Sequence, residues 1–429
     1  MTTPSKSRVE SEVPSELAPA SGRPRPAFRD GYRSFDYLTA GADYHRYELV
    51  DQAGRAPPLL IELSAEDERR TTALVNRSPV ISLHDHVGLF PASIGDTPDY
   101  VRQGRMATAF RGLAASNLDA VFDNLMNGIC RIHSHSGWQW SDVIHDLGMR
   151  LCDLAHQDFV VPAHGVRDIL QAKDDGKVAW IAGLEGAAMI ENELDRIEIL
   201  YGFGVRLLGI TYSESNALGS GLKERRDGGL TEFGRKAVTR MNRVGMLIDC
   251  SHTGDQTALD TMAASEVPVV LSHIGARALW DSRRLAPDEV LEACAEGGGV
   301  IGVEAAPHTT ISRSNPRHGL DSYMEHFEYI VRLVGIDHVA FGPDTVYGDH
   351  VELHRVYAER LSLEESRGAS APSEDGREYP QVEHVEGLEN PTEASHNVVR
   401  WLVRNGYSDA DIEKVLGGNI LRVLRQVWA

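Results

Sequence analysis

Five residues of this chain carry side chains that ligate divalent metals and stand where a metal site needs them: His84, His86, Glu185, His252 and His273. They close four short apolar runs, PVISLH (79–84, with His86 two residues beyond), VAWIAGLE (178–185), GMLIDCSH (245–252) and VPVVLSH (267–273). Neutral imidazoles with one carboxylate suit Zn²⁺ and related first-row metals. The His84-x-His86 spacing puts both imidazoles on one side of an alternating strand. Taken singly, any of these histidines reads as an ordinary polar group at a strand end. Four ligating strand ends in one chain read as a metal centre. A second His-x-His, His133 and His135 in CRIHSHSGW, sits in a polar Ser/Gly stretch and reads as loop. His145, His156 and His164 read as helix-surface or loop residues.

Ligands on separate strands need a scaffold that brings strand ends together. Eight apolar, β-branched runs recur along the chain, each followed by a helical stretch. Besides those above they are NLDAVF (117–122), VRLLGITY (205–212), GGVIGVEA (298–305) and HVAFGPD (338–344). Near-continuous apolar runs suit strands buried on both faces, as parallel strands are. Helix starts are expected at Ser141–Asp142, with an amphipathic stretch to about Gln157, and at Pro287 in PDEVLEACAEG. Eight alternating units predict an α/β fold, a (β/α)8 TIM barrel whose C-terminal strand ends carry the chemistry. The second and seventh runs are weak, so a distorted barrel is equally acceptable. Residues 1–45 are rich in Pro, Ser and charge and are expected to form a disordered or loosely draped tail. Residues 46–429 are expected to be one barrel domain, interrupted by a polar insertion at about 359–386.

Composition narrows the partners. The 429 residues are 42% hydrophobic and 25% charged, with a formal net charge of −20. That excess of acid argues against nucleic acid or an anionic membrane as partner and leaves a small-molecule substrate. The four cysteines are scattered, without a CxxC pair, and read as reduced thiols. No secretory, membrane-spanning or lipid-anchor signal is evident, so a cytoplasmic location is expected.

From about Pro79 to the C-terminus the chain resembles the membrane (renal) dipeptidase family of metal-dependent, amidohydrolase-like barrels. The resemblance is carried by AGLEGA around Glu185, MNRVGMLIDCSH ending at His252 and VPVVLSHIGARALWDSRRLAPDEVL around His273. GIDHVAFGPD ending at Asp344, VEGLEN (385–390) and GGNILRVL add to it. The resemblance implies two divalent metals, zinc by habit. His84 and the residue two beyond it would bind the first, Glu185 would bridge both, and His252 with His273 would bind the second. It further implies that Arg284 binds a substrate carboxylate, that Asp344 transfers the proton beside the bridging water, and that the chain pairs as a homodimer.

Three departures from the family pattern stand out. His86 replaces an aspartate, which leaves Glu185 as the sole carboxylate of the set and opens the choice to one metal, or to iron or manganese. Asp85 should point away on the alternating strand. Tyr212 stands where the family has a substrate-contacting histidine, and its hydroxyl can donate to an oxyanion. Asp344-Thr345-Val346-Tyr347 replaces Asp-Phe-Asp-Gly. The expected function is hydrolysis of an amide bond in a dipeptide or similar small carboxylate-bearing molecule. The alternatives are an altered metal-dependent reaction (another amide, a lactam, a decarboxylation) on a specialised metabolite, or a non-catalytic barrel.

Overall fold

The computed structural model describes residues 25–57, 59–125, 139–306, 310–350, 353 and 382–428. Its strands are β1 (Ile81–Asp85), β2 (Ala120–Asn124), β3 (Val160–Pro162), β4 (Val178–Leu184), β5 (Val205–Gly209), β6 (Leu247–Asp249), β7 (Val270–Ile274), β8 (Val300–Val303) and β9 (Val339–Phe341). All pairings are parallel and run β1-β2-β4-β5-β6-β7-β8-β9, with β3 added beside β4. Just beyond β9 the ring closes on β1 through Asp344 N–H to the His84 carbonyl and His86 N–H to the Thr345 carbonyl, both 3.0 Å. This is the expected (β/α)8 barrel, and each of the eight runs supplies one of its strands. The short β3 is an addition that its three residues did not announce.

Strand alternation sorts the apolar side chains into two layers. Ile81, Leu83, Phe122, Ala179, Ile181, Leu207, Leu247, Val270, Val300 and Ala340 pack together with Ile420, Leu421 and Leu424 of the helix Asn419–Val427. Val80, Val121, Val178, Trp180, Leu208, Ile248, Ile301, Val339 and Phe341 pack instead against the surrounding helices. The inner layer is therefore apolar below and, one step further along each strand, polar.

Some helix ends are closed by a capping side chain or a glycine. Thr231 caps Glu232–Val244 by accepting from the Gly234 N–H at 2.9 Å, and Gly245 ends it at φ 80°, a left-handed geometry that glycine adopts without strain. The helix expected from Ser141–Asp142 spans Trp140–Leu154, so both residues lie inside its first turn and Gln139 is the cap. Pro287 precedes the helix Asp288–Glu296 rather than opening it. Among the described residues no helix is long and apolar enough to cross a membrane.

Of the expected N-terminal tail, residues 1–24 lie outside the described residues, and 25–45 pack on the barrel. Arg25 reaches the carbonyls of Lys177 (3.2 Å) and Ser116 (3.3 Å), and Phe28 meets Phe159 edge-on at 5.2 Å. The Phe35 N–H donates to Asp153 at 2.9 Å, and its ring is buried with Leu89, Ala109 and Tyr347. A few aromatic anchors in a polar stretch are enough to order residues 25–45 against the barrel. Of the expected insertion, 359–381 lies outside the described residues, as do His133 and His135.

Candidate metal centre

Two irregularities in strand pairing aim the ligating histidines. Between β1 and β2, Ser82 faces Val121 but Asp85 faces Asp123, three steps against two. Between β7 and β8, Leu271 faces Ile301 and Ile274 faces Val303, again three against two. Each strand thus carries one extra residue, a bulge that turns an additional side chain inward. His84 and His273 sit in these bulges, and their rings stack at 3.5 Å between centroids. Gly342 lets the neighbouring backbone approach, because a Cβ there would collide with the Ser272 carbonyl oxygen. Glu185 follows β4 in phase with inward-facing Ala179 and Ile181.

The predicted residues meet at the C-terminal end of the barrel. His84 Nε2 lies 3.0 Å from Glu185 Oε1 and 3.3 Å from Asp344 Oδ1. His86 Nε2 lies 3.5 and 3.1 Å from the same two oxygens. The other Glu185 oxygen, Oε2, faces His252 Nε2 at 3.7 Å, and His252 Nε2 is 3.0 Å from His273 Nε2. Ligating atoms of His84, Glu185, His273 and Asp344 all fall within 4.8 Å of one another. One Glu185 oxygen thus faces His84 and His86, and the other faces His252, which in turn meets His273. Asp85 turns away, accepting from Ser82 Oγ (2.6 Å), Thr345 N–H (2.9 Å) and Thr345 Oγ1 (2.6 Å).

The outer ring nitrogens of His86 and His273 leave their inner nitrogens fit for a metal. His86 Nδ1 lies 3.1 Å from the Asn124 carbonyl, which only accepts, so Nδ1 carries the proton and Nε2 is left as a lone pair. Ser272 Oγ donates to Asp249 Oδ2 at 2.6 Å and, its one proton used, accepts from His273 Nδ1 at 2.7 Å. His273 Nε2 then also presents a lone pair inward. Outer bonds of this kind orient metal-binding imidazoles.

The electrostatics are those of a buried cation site. Burial opposes charge on His84, but Asp344 and Glu185 outweigh it and push the imidazole up to about 10. Burial also works against ionisation of Asp344, yet His84 and His86 hold its carboxyl well below the usual carboxylate range. Glu185 is raised, by burial, against the pull of His84. His273 is lowered well below the usual imidazole value by burial and by the charges of His84 and Arg284. Asp344 has φ 58°, in the left-handed region that few non-glycine residues enter, so the backbone holds an uncommon conformation at the carboxylate.

The remaining predicted residues fall differently. Tyr212 stacks on His252, with centroids 4.2 Å apart. Arg284 is buried behind His273, and its Nη2 forms a 2.6 Å ion pair with Glu304. His145, His156 and His164 stay out of the cluster, on the helix Trp140–Leu154 or in loops, as expected. Asn124, Asp249, Ser272, Glu304 and His350 escaped sequence reasoning. Asn124 ends β2 and Glu304 directly follows β8, a signal that was present; Ser272 and Asp249 lie within runs read as apolar. His350, buried and within reach of the charges of Asp344 and His86, stands in a helical position outside the eight apolar runs.

The profile of the family described as membrane dipeptidase (peptidase family M19) matches residues 69–354 and 376–429. The chain is 28% identical over 284 residues to dipeptidase tcpJ of Claviceps purpurea, covering 66% of this chain and 58% of that protein. It is 28% identical over 289 residues to dipeptidase 3 of Rattus norvegicus, covering 66% of this chain and 51% of that protein. The matched part thus spans little more than half the length of either relative. Among solved structures, an amidohydrolase from Pseudomonas aeruginosa superposes with TM-score 0.66 at 26% identity, covering 83% of this chain and 99% of that one. A metallo peptidase from Rhodobacter sphaeroides, liganded with a phosphinate mimic of the dipeptide L-Ala-D-Ala, shares the fold with TM-score 0.61 at 19% identity, covering 82% and 99%.

Proposed function

Because the chain belongs to the membrane dipeptidase family, peptidase family M19, we propose that it hydrolyses an amide bond in a dipeptide or dipeptide-like small molecule. The placement of one Glu185 oxygen against His84 and His86 and the other against His252, itself beside His273, carries this reading. His84, His86 and Glu185 would hold one divalent metal, and Glu185, His252 and His273 a second, with zinc the favoured ion for this donor set. When bound, such metals polarise an amide carbonyl and make water nucleophilic near neutral pH.

The chain's own residues do the rest. Asp344, whose Oδ1 lies 3.3 Å from His84 Nε2 and 3.1 Å from His86 Nε2, accepts the proton of the attacking water on its carboxylate. It returns that proton to the amine nitrogen as the carbon–nitrogen bond breaks. Tyr212, stacked on His252, would donate its hydroxyl to the oxygen that gains charge. Burial of the whole cluster strengthens each of these electrostatic contacts.

A second reading keeps the same hydrolytic apparatus but gives it a substrate other than a free dipeptide. It is favoured by one observation, the engagement of Arg284 by Glu304. A non-catalytic barrel accords poorly with a chain that retains Glu185, Asp344 and four convergent histidines. Protein reconstituted with zinc or manganese and offered a dipeptide panel should release amino acids, lose that activity to a chelator and regain it with metal. Full metal occupancy without hydrolysis of any amide would refute the proposal.

A further inference from the structure

Arg284 and Glu304 form a buried ion pair beside the cluster. Arg284 comes from the loop after β7, and Glu304 directly follows β8, its N–H donating to the Ile274 carbonyl at 3.1 Å. The side chains are 5% and 0% exposed, and Nη2 lies 2.6 Å from Oε2. The second terminal nitrogen, Nη1, lies 3.3 Å from the carbonyl of His273 and 3.4 Å from that of Ser251. These carbonyls belong to the backbone that carries the inward-facing imidazoles, so the guanidinium stands at the wall of the reaction site.

The neighbouring arginines do not replace its charge. Arg277 is committed to Asp255 through two bonds of 2.6 and 2.8 Å. Arg283 is exposed and turns to the Glu224 carbonyl at 3.1 Å.

We propose that Glu304 is a specificity-determining residue: by neutralising Arg284 it fits this wall to a substrate whose group there is uncharged, such as a carboxamide or ester, rather than a free carboxylate. A carboxylate approaching Arg284 would have to share the guanidinium with Glu304, two like charges in a buried space, or displace Glu304 and leave a fully buried carboxylate without its cation. Both are costly. A carboxamide brings no charge, and its oxygen and N–H groups can bond to either member of the pair. The inference rests on the amide-hydrolase reading above and narrows its substrate class to small amides blocked or uncharged at this end.

The test uses the metal-loaded full chain with alanylalanine and alanylalaninamide, following release of the N-terminal alanine. The wild type should prefer the amide in kcat/KM by about tenfold or more. Glu304→Gln should raise kcat/KM for the free acid by about tenfold, mainly through a lower KM. Preference of the wild type for the free acid would overturn the inference, and this comparison needs no variant to fold. Binding of phosphinate analogues of the same dipeptide, as acid and as amide, separates the two levels of the account. If neither substrate is cleaved, the amide-hydrolase reading fails. Tighter binding of the amide analogue still supports the role of the pair, and tighter binding of the acid analogue overturns it.

Discussion

The Asn124 carbonyl accepts a hydrogen bond from His86 Nδ1 at 3.1 Å, which fixes the imidazole with Nε2 toward Glu185 and Asp344. A neutral ligand is thus oriented as firmly as a carboxylate would be, but adds no negative charge to the first metal's surroundings. His86→Asp should therefore slow release of metal to a chelator by about tenfold. Time-resolved chelator competition checks this; faster release from the variant would show that orientation by Asn124 matters more than ligand charge.

Ser272 links Asp249 to His273 through bonds of 2.6 and 2.7 Å. Ser272→Ala removes the acceptor that fixes the His273 proton on Nδ1. Metal affinity should fall about 10- to 100-fold, read by competition with a chromogenic chelator. Unchanged affinity would mean that His273 needs no such support.

Asp344→Asn keeps the shape, and asparagine tolerates the left-handed backbone that Asp344 adopts at φ 58°. If Asp344 moves the proton, kcat should fall by about 10²- to 10⁴-fold while metal content and KM hold. Loss of metal from this variant would make Asp344 a ligand instead.

His326 gives the fold a pH dependence independent of the metal. Burial lowers it to about 4, with Nδ1 accepting from the Ala276 N–H at 2.9 Å and Nε2 donating to the Ile311 carbonyl at 2.9 Å. Its folded value lies below the ordinary 6.5, so the unfolded chain takes up the proton first as pH falls. The stabilisation from the neutral ring is present above about 6.5 and is lost as pH falls toward 4, by roughly 3 kcal/mol. Thermal midpoints measured across that window should fall less steeply in His326→Asn than in the wild type. Parallel slopes would remove His326 as a cause.

How much could be read from the chain follows from where each signal lies. Near-continuous apolar runs mark parallel strands because both faces are buried, so all eight barrel strands were visible, and His84, Glu185, His252 and His273 were visible at their ends. Alternation also placed Asp85 away from the cluster. It did not reveal the bulges at His84 and His273, since one extra residue leaves no compositional trace. Asn124 lay two residues past the point where its apolar run seemed to end at Phe122. Glu304 is the one carboxylate in the run GGVIGVEA, but its meaning depends on Arg284, twenty positions earlier, and only the fold brings the two together. The anchoring of residues 25–45 rests on isolated aromatics such as Phe28 and Phe35, which meet Phe159 and Asp153 more than a hundred residues away.

The central claim is that Glu185 joins two imidazole pairs into one metal centre that hydrolyses amides. Elemental mass spectrometry of metal per chain, paired with turnover of one cleaved amide, on wild type and Glu185→Gln tests it most directly. The wild type should hold about two divalent ions, and the variant should lose metal clearly and turnover nearly completely. A variant with wild-type metal content and wild-type turnover would contradict it.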